Sequence, residues 1–290
     1  MRDTRFGMRD KGIKDISPDE ILSMKIHNVT PEFIDKIQKI FPDISISKIR
    51  DFRIHGIDED YMNTVKKMGF KDLSPSRLIE MKIHGVTPEF ASEMKKMGFN
   101  ELSPSRLVEL RIHGVTPGFI RSIRNAGFKN ISLSKLVEFR IHGVTPEFSE
   151  EMKKLGFNEL SPARLVELKI HGVTPEYIQF IRSSGFKDIS LSKIIEFRIH
   201  GVTPEFTADI RKLGFSELSP ARLVELRIHG VTPDYINSIR DAGFKDISLS
   251  RLVEFKIHGI DDEYIQYARD LLKGKELTAR KLIAMKIHGI

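Results

Sequence analysis

Ser103–Ile131 reads SPSRLVELRIHGVTPGFIRSIRNAGFKNI, and its punctuation alone marks out two short helices. Ser103 is placed to cap the first N-terminus, with Pro104 at the first helical position, where a missing N–H does no harm. Leu102 and Leu107 stand as a hydrophobic staple across that start. The helix runs to about His113, and Gly114 supplies the left-handed residue that ends it. Thr116 then caps a second helix, Pro117 opens it, and Val115 with Ile120 forms a second staple. This helix stops at Gly127, and Phe128 folds back as the apolar residue of the closing turn. Each helix spans about 10 residues, too short to persist alone. Leu107, Val108, Leu110 and Ile112 are expected to bury one side of the first, and Phe119, Ile123 and Ala126 one side of the second.

The same 29-residue pattern recurs along the chain. All ten histidines lie in one motif, at His27, His55, His84, His113, His142, His171, His200, His229, His258 and His288. Each follows Ile, and each Ile follows Lys or Arg. Gly comes next in nine cases and Asn28 in the tenth, and Asn is the other residue that tolerates a left-handed turn. A 58-residue period is superimposed: Ser103-Pro104, Ser161-Pro162 and Ser219-Pro220 alternate with Ser132-Leu133, Ser190-Leu191 and Ser248-Leu249. Helical hairpins in tandem bury a continuous core only by stacking. The expectation is therefore an all-α chain, an α-solenoid of about ten two-helix repeats. It is read as one continuous array over 1–290, with 1–16 the tail of a partial repeat and 278–290 a terminal half repeat.

Composition narrows the rest. Of the 290 residues none is cysteine, which removes disulfides, thiolate metal sites and cysteine nucleophiles. No apolar run approaches the roughly 18–20 residues that span a bilayer, and Met1–Asp15 lacks the apolar core of a signal peptide. A soluble chain without membrane insertion is expected, in a compartment the sequence does not name. The net charge is +7, enough to keep an acidic partner in view. The ends resemble interior positions: Met8–Ser17 matches Ile239–Ser248, and Leu282–Ile290 is a first helix with no second helix after it. That suits a segment of a longer array, frayed ends, or ends that meet in self-association as a ring or filament.

Three repeated features are candidates for function. Glu precedes His by four residues in most repeats, as in Glu109 and His113 or Glu138 and His142, so each pair shares a helix face. One Glu and one His make too few ligands for a tight metal site. His113 and His142 are therefore read as structural caps, with Gly114, Thr116, Gly143 and Thr145. A contact with a partner is the alternative use of the histidines. No cofactor is expected.

A basic ladder of Arg53, Lys82, Arg111, Arg140, Lys169, Arg198, Arg227 and Lys256 gives one cation per repeat and is the candidate track for a polyanion. Helix-end cations bonded to nearby acids such as Glu89, Glu147, Glu176 and Glu205 are the competing account. Charge by repeat is patchy: Ser103–Ile131 carries a net +4, Ser132–Leu160 a net −1, and Ser219–Ile247 is neutral. The third feature is the second helix, whose outward positions change between repeats. Arg121, Arg124, Glu150, Lys153, Lys154 and Arg182 are the candidate interaction surface there.

The stretch Arg111-Ile112-His113-Gly114-Val115-Thr116-Pro117, followed by an amphipathic helix, resembles the helix-hairpin-helix element of DNA-binding proteins, with Thr116 where that element has its second glycine. The resemblance implies a backbone phosphate contact at the second helix. The whole repeat, RLVELRIHGVTPEYI with its Gly-Phe tail, resembles a bacterial short helical repeat found behind membrane metallopeptidases related to the beta-lactam sensor-transducers. That resemblance implies a bacterial, appended interaction module; the peptidase zinc motif is absent from this sequence. There is no phosphate loop, no His-Glu-x-x-His and no nucleophile elbow, and an active site would break the symmetry of the repeat. The reading is a non-enzymatic scaffold or protein- and peptide-binding module, with weak, shape-based nucleic-acid binding as the alternative.

Overall fold

The computed structural model describes residues 17–290. The partial repeat expected over 1–16 lies outside them. Among the described residues there are nineteen α-helices and no strand. The chain divides into two compact units, Met1–Pro146 and Glu147–Ile290.

In the first unit, first helices α1 (Pro18–Ile26), α3 (Ile46–Ile54), α5 (Pro75–Ile83), α7 (Pro104–Ile112) and α9 (Leu133–His142) alternate with second helices. These are α2 (Pro31–Ile40), α4 (Glu59–Lys67), α6 (Pro88–Lys96) and α8 (Pro117–Asn125). The second unit is built the same way. Its second helices are α10 (Pro146–Lys154), α12 (Pro175–Ser183), α14 (Pro204–Lys212), α16 (Pro233–Asp241) and α18 (Asp262–Leu272). Its first helices are α11 (Pro162–Ile170), α13 (Leu191–His200), α15 (Pro220–Ile228), α17 (Leu249–Ile257) and α19 (Ala279–Ile287).

Like packs on like. First helices stack as α3 on α5 on α7 in one unit and as α13 on α15 on α17 on α19 in the other; second helices stack as α6 on α8 and α14 on α16. Two layers of helices with the core between them make each unit an α-solenoid.

The caps explain why helices this short have fixed ends. Ser103 Oγ accepts the Arg106 N–H and Thr116 Oγ1 accepts the Phe119 N–H, each at 3.2 Å. At the end of α7 the Val115 N–H reaches Leu110 O at 2.8 Å and the Gly114 N–H reaches Arg111 O at 3.1 Å, the paired bonds of a Schellman turn. Gly114 sits at φ 64° and Asn28, its counterpart after α1, at φ 54°. The backbone therefore needs a left-handed residue in both places.

The 58-residue period is written in the junctions between repeats. Before α9, α13 and α17 the Phe that closes the preceding second helix packs edge-on against a Phe of the following first helix. Phe128 meets Phe139 at 5.9 Å, Phe186 meets Phe197 at 5.9 Å, and Phe244 meets Phe255 at 5.7 Å. The Ser-Pro repeats carry Leu110, Leu168 and Leu226 at that buried helix position. Their junction phenylalanines Phe99, Phe157 and Phe215 lie beneath Arg124, Arg182 and Arg240, and Phe186 joins both arrangements, beneath Arg211 as well as against Phe197.

One expectation fails. Ile112, grouped with Leu107, Val108 and Leu110 as core, is 55% exposed while the other three are buried. Angle around the helix does not account for this, because Val108, one turn earlier and about 40° away, is buried; Ile112 differs in being the last residue of α7.

Candidate interaction surface

The basic ladder is part of the joint between repeats. Each cation lies over the aromatic ring at the start of the preceding repeat's second helix. Arg53 covers Phe33 at 3.8 Å, Arg140 covers Phe119 at 4.0 Å, Arg198 covers Tyr177 at 3.7 Å and Lys256 covers Tyr235 at 3.9 Å. Lys82, Arg111, Lys169 and Arg227 repeat the arrangement over Tyr61, Phe90, Phe148 and Phe206. Three of the guanidinium groups also donate Nε–H to the end of the preceding first helix or the turn after it: Arg111 to His84 O, Arg140 to Gly114 O and Arg227 to His200 O. Cation on ring and cation on carbonyl are both favourable at a helix C-terminus. The ladder and the aromatic stripe are thus two halves of one contact. Among the described residues Arg111, Arg140, Arg198 and Arg227 make no ion pair with a carboxylate. Their outer edges remain exposed.

Tyrosine in place of phenylalanine under the cation adds a bond at Tyr177 and Tyr235 but not at Tyr61. The Tyr177 hydroxyl donates to Val202 O at 2.9 Å and the Tyr235 hydroxyl to Ile260 O at 2.6 Å, both buried. Burial pushes the Tyr177 hydroxyl up to about 12 and that of Tyr235 higher still. The Tyr61 hydroxyl, also raised to about 12 by burial, has no hydrogen-bond partner.

The second helices repeat the device one layer over. Arg124 donates to Met97 O at 3.1 Å, Arg182 to Leu155 O at 2.9 Å and Arg240 to Leu213 O at 2.8 Å. Each accepting carbonyl ends the preceding second helix. Arg124 and Arg182 therefore tie repeats together, and Lys153 stands at the same position of its repeat. Arg121, Glu150 and Lys154 are exposed. Arg121 comes within 4.0 Å of Glu93, both side chains open to solvent, which makes a contact worth little. Across repeats the Arg121 position holds Asn63, Ser92, Arg121, Glu150, Gln179, Ala208, Asn237 and Gln266.

The glutamates that sequence pairs with histidine are engaged on their other side. Arg106 binds Glu109 at 2.5 Å and Arg164 binds Glu167 at 2.6 Å, and Arg77–Glu80, Lys135–Glu138 and Arg222–Glu225 repeat the pairing. Arg106 and Arg164 also reach the next repeat, at Ser134 Oγ and Ser192 Oγ. His113 closes α7 through its backbone N–H, which bonds Arg111 O and Glu109 O, whereas α9 continues through His142 and ends on Gly143 at φ 67°. Among the described residues no three of His, Asp and Glu gather as metal ligands, and no helix is long and apolar enough to cross a membrane.

What sequence reasoning missed is a row of isoleucines. In the first unit Ile26, Ile54, Ile83, Ile112 and Ile141 all face solvent, and in the second so do Ile170, Ile199, Ile228, Ile257 and Ile287; exposure runs from 44% to 68%. Two residues earlier, the buried position varies among Met24, Phe52, Met81, Leu110, Phe139 and their counterparts. The exposed position is thus uniform where the core position is not. Ile has no capping part here, since the Schellman turn joins Val115 to Leu110. As a β-branched residue it is no aid to helix formation either. The signal was present in the sequence as an unbroken Ile before every His.

A groove of about 400 Å3 lies between α2 and α4, bordered by Phe33, Lys36, Ile37, Arg53, Asp58 and Met62. Arg53 is already seated on the Phe33 ring there. A comparison with protein-family models finds no match to the chain, and a comparison with curated proteins finds none.

Proposed function

We propose that the chain is a non-enzymatic helical-repeat scaffold that binds protein or peptide partners. The observation behind this reading is the isoleucine row. Apart from the histidines, the polar side chains that recur from repeat to repeat close internal contacts, as caps, ring-seated cations and helix-end donors. The most uniform solvent-facing side chain is apolar. Rows of exposed apolar side chains rimmed by charge belong to protein-binding surfaces. The varied second-helix positions Arg121, Glu150 and Lys154 supply a separate face on which partners are told apart. The resemblance to arrays carried behind membrane metallopeptidases points the same way, to an appended bacterial interaction module.

Nucleic-acid binding is the competing reading, and the ladder cations bear on it. A cation seated on a ring and a carbonyl has fewer donors to offer a phosphate than a free one. Selection of peptides from an unbiased displayed library on the immobilised full chain tests the proposal, alongside anisotropy with duplex and single-stranded DNA over a salt series. Enriched peptides that compete with one another for the chain, with DNA binding lost near physiological salt, are the expected result. DNA binding that persists there, with a steep dependence on salt and no peptide enriched, overturns it.

A further inference from the structure

We infer that each five-rung isoleucine row is a track for one kind of partner: an extended, acidic peptide with an apolar residue at every third position. The inference rests on the protein-binding reading above and gives that reading its partner class.

Spacing supplies the first argument. The rungs sit on first helices, one per repeat, whose stacking is closest across α3, α5 and α7 and across α13, α15, α17 and α19, and packed helices lie about 8–10 Å apart. A polyproline-type strand advances about 3.1 Å per residue and returns to the same face every third residue, a step of about 9.3 Å. Such a strand laid across the helices returns a side chain to the same face at about the interval expected between rungs. An α-helical partner would have to meet successive rungs every second turn, a step of about 10.8 Å that exceeds the 8–10 Å spacing and accumulates along the row.

Charge supplies the second. Next to each isoleucine in sequence stands a ladder cation, and Arg111, Arg140, Arg198 and Arg227 have no carboxylate partner of their own. The Arg and Lys residues farther along the same helices are already neutralised by Glu80, Glu109, Glu138, Glu167, Glu196 and Glu225. The surface around the rungs therefore has unmatched positive charge on one flank and balanced ion pairs on the other. Seating on a ring engages donors but does not neutralise charge. A strand with acidic residues between its apolar ones is therefore attracted by the field of these cations, without needing their engaged donors, and a basic strand is repelled. An extended peptide also loses less conformational entropy on binding if proline holds it in that form beforehand.

The test uses the full chain and labelled peptides of about five Leu-Pro-Glu triplets, long enough to cover one row. Controls are a peptide of the same composition with its leucines clustered, and a Leu-Pro-Lys peptide. Fluorescence anisotropy at matched ionic strength is expected to show the Leu-Pro-Glu peptide binding at least about tenfold more tightly than either control. The triple variant Ile83→Ser, Ile112→Ser, Ile141→Ser, combined with Ile199→Ser, Ile228→Ser and Ile257→Ser, is expected to lose that preference while keeping the parent melting curve, because these side chains are more than half exposed. Should the serine variant melt early, the same six positions changed to Thr keep the branched β-carbon and carry the test.

Equal binding of the ordered and clustered peptides overturns the inference, as does full binding by a well-folded Ser or Thr variant. If library-selected peptides bind and are lost with Arg121→Ala and Glu150→Ala instead, the track falls and the scaffold reading stands. If no peptide binds and duplex DNA does near physiological salt, both fall.

Discussion

Arg198 and Tyr177 allow the contact between repeats to be measured one component at a time. The guanidinium carbon lies 3.7 Å from the ring centre, and the hydroxyl of the same ring donates to Val202 O at 2.9 Å. Two contributions therefore meet on one side chain. The cation–ring contact has its cation exposed, which sets it at about 0.5–1 kcal/mol. The buried hydrogen bond contributes about 1 kcal/mol. Tyr177→Phe removes only the second. Arg198→Met removes only the first, since the methionine stem keeps most of the packing. Tyr177→Leu removes both. Denaturant unfolding of the full chain, fitted with a nearest-neighbour model because repeat arrays depart from two-state behaviour, gives each change in stability. The expected coupling between Tyr177→Leu and Arg198→Met is about 0.5–1 kcal/mol, against no coupling between Tyr177→Phe and Arg198→Met. Additivity of the Leu pair to within about 0.3 kcal/mol refutes the assignment of the basic ladder to the joint between repeats.

Further outcomes follow from the same structure. Gly143 adopts φ 67° with open space where a Cβ would stand, so Gly143→Val costs about 1–2 kcal/mol for backbone conformation alone, and Gly143→Asn, which copies Asn28, costs less; thermal melts of the two variants check the order. Ser103→Ala removes the acceptor of the Arg106 N–H and lowers stability by about 1 kcal/mol, while the exposed partner change Glu109→Gln moves it by less than about 0.5 kcal/mol. Tyr177, with its folded pKa raised to about 12 by burial, contributes stability that is whole below the unfolded value near 10 and is lost as pH rises through about 12. Denaturant midpoints measured across that window should fall with pH in the parent and fall less in a Tyr177→Phe, Tyr235→Phe variant.

The parts of the fold legible in sequence are those whose causes are local. Ser103, Thr116 and Gly114 act on backbone groups within four residues, so residue type and spacing sufficed to place the helix ends. That the hairpins stack was legible too, because short amphipathic helices have nowhere else to bury their apolar sides; that first helix packs on first helix was not. Nor was the aromatic ring under each cation. Arg111 and Phe90 belong to different repeats and different layers, and only the stacking geometry brings them together, whereas sequence proximity favoured Glu89. Arg124 and Arg182 were misleading for the same reason: a cation on a varied helix looks free until the carbonyl it reaches, in the preceding repeat, is in place. Ile112 misled in the opposite direction. Apolar character and the face it shares with buried Val108 both suggested burial, but at the last position of α7 it is open to solvent.

The alternation at the centre of the first-helix layer has a consequence for how such a chain changes length. Within the second unit the fully buried position reads Leu168, Phe197, Leu226, Phe255 along α11, α13, α15 and α17, each at 0% exposure. A helix carrying Phe at this position therefore packs against one carrying Leu at both steps from α13 to α17. Loss or gain of a single 29-residue repeat by recombination between repeats brings Phe against Phe or Leu against Leu, and cores tolerate neither crowding nor a void well. Loss or gain of 58 residues restores the pairing. The first unit, which reads Met24, Phe52, Met81, Leu110, Phe139, does not keep the strict alternation, so the expectation that length variants differ by whole couples of repeats applies to the second unit.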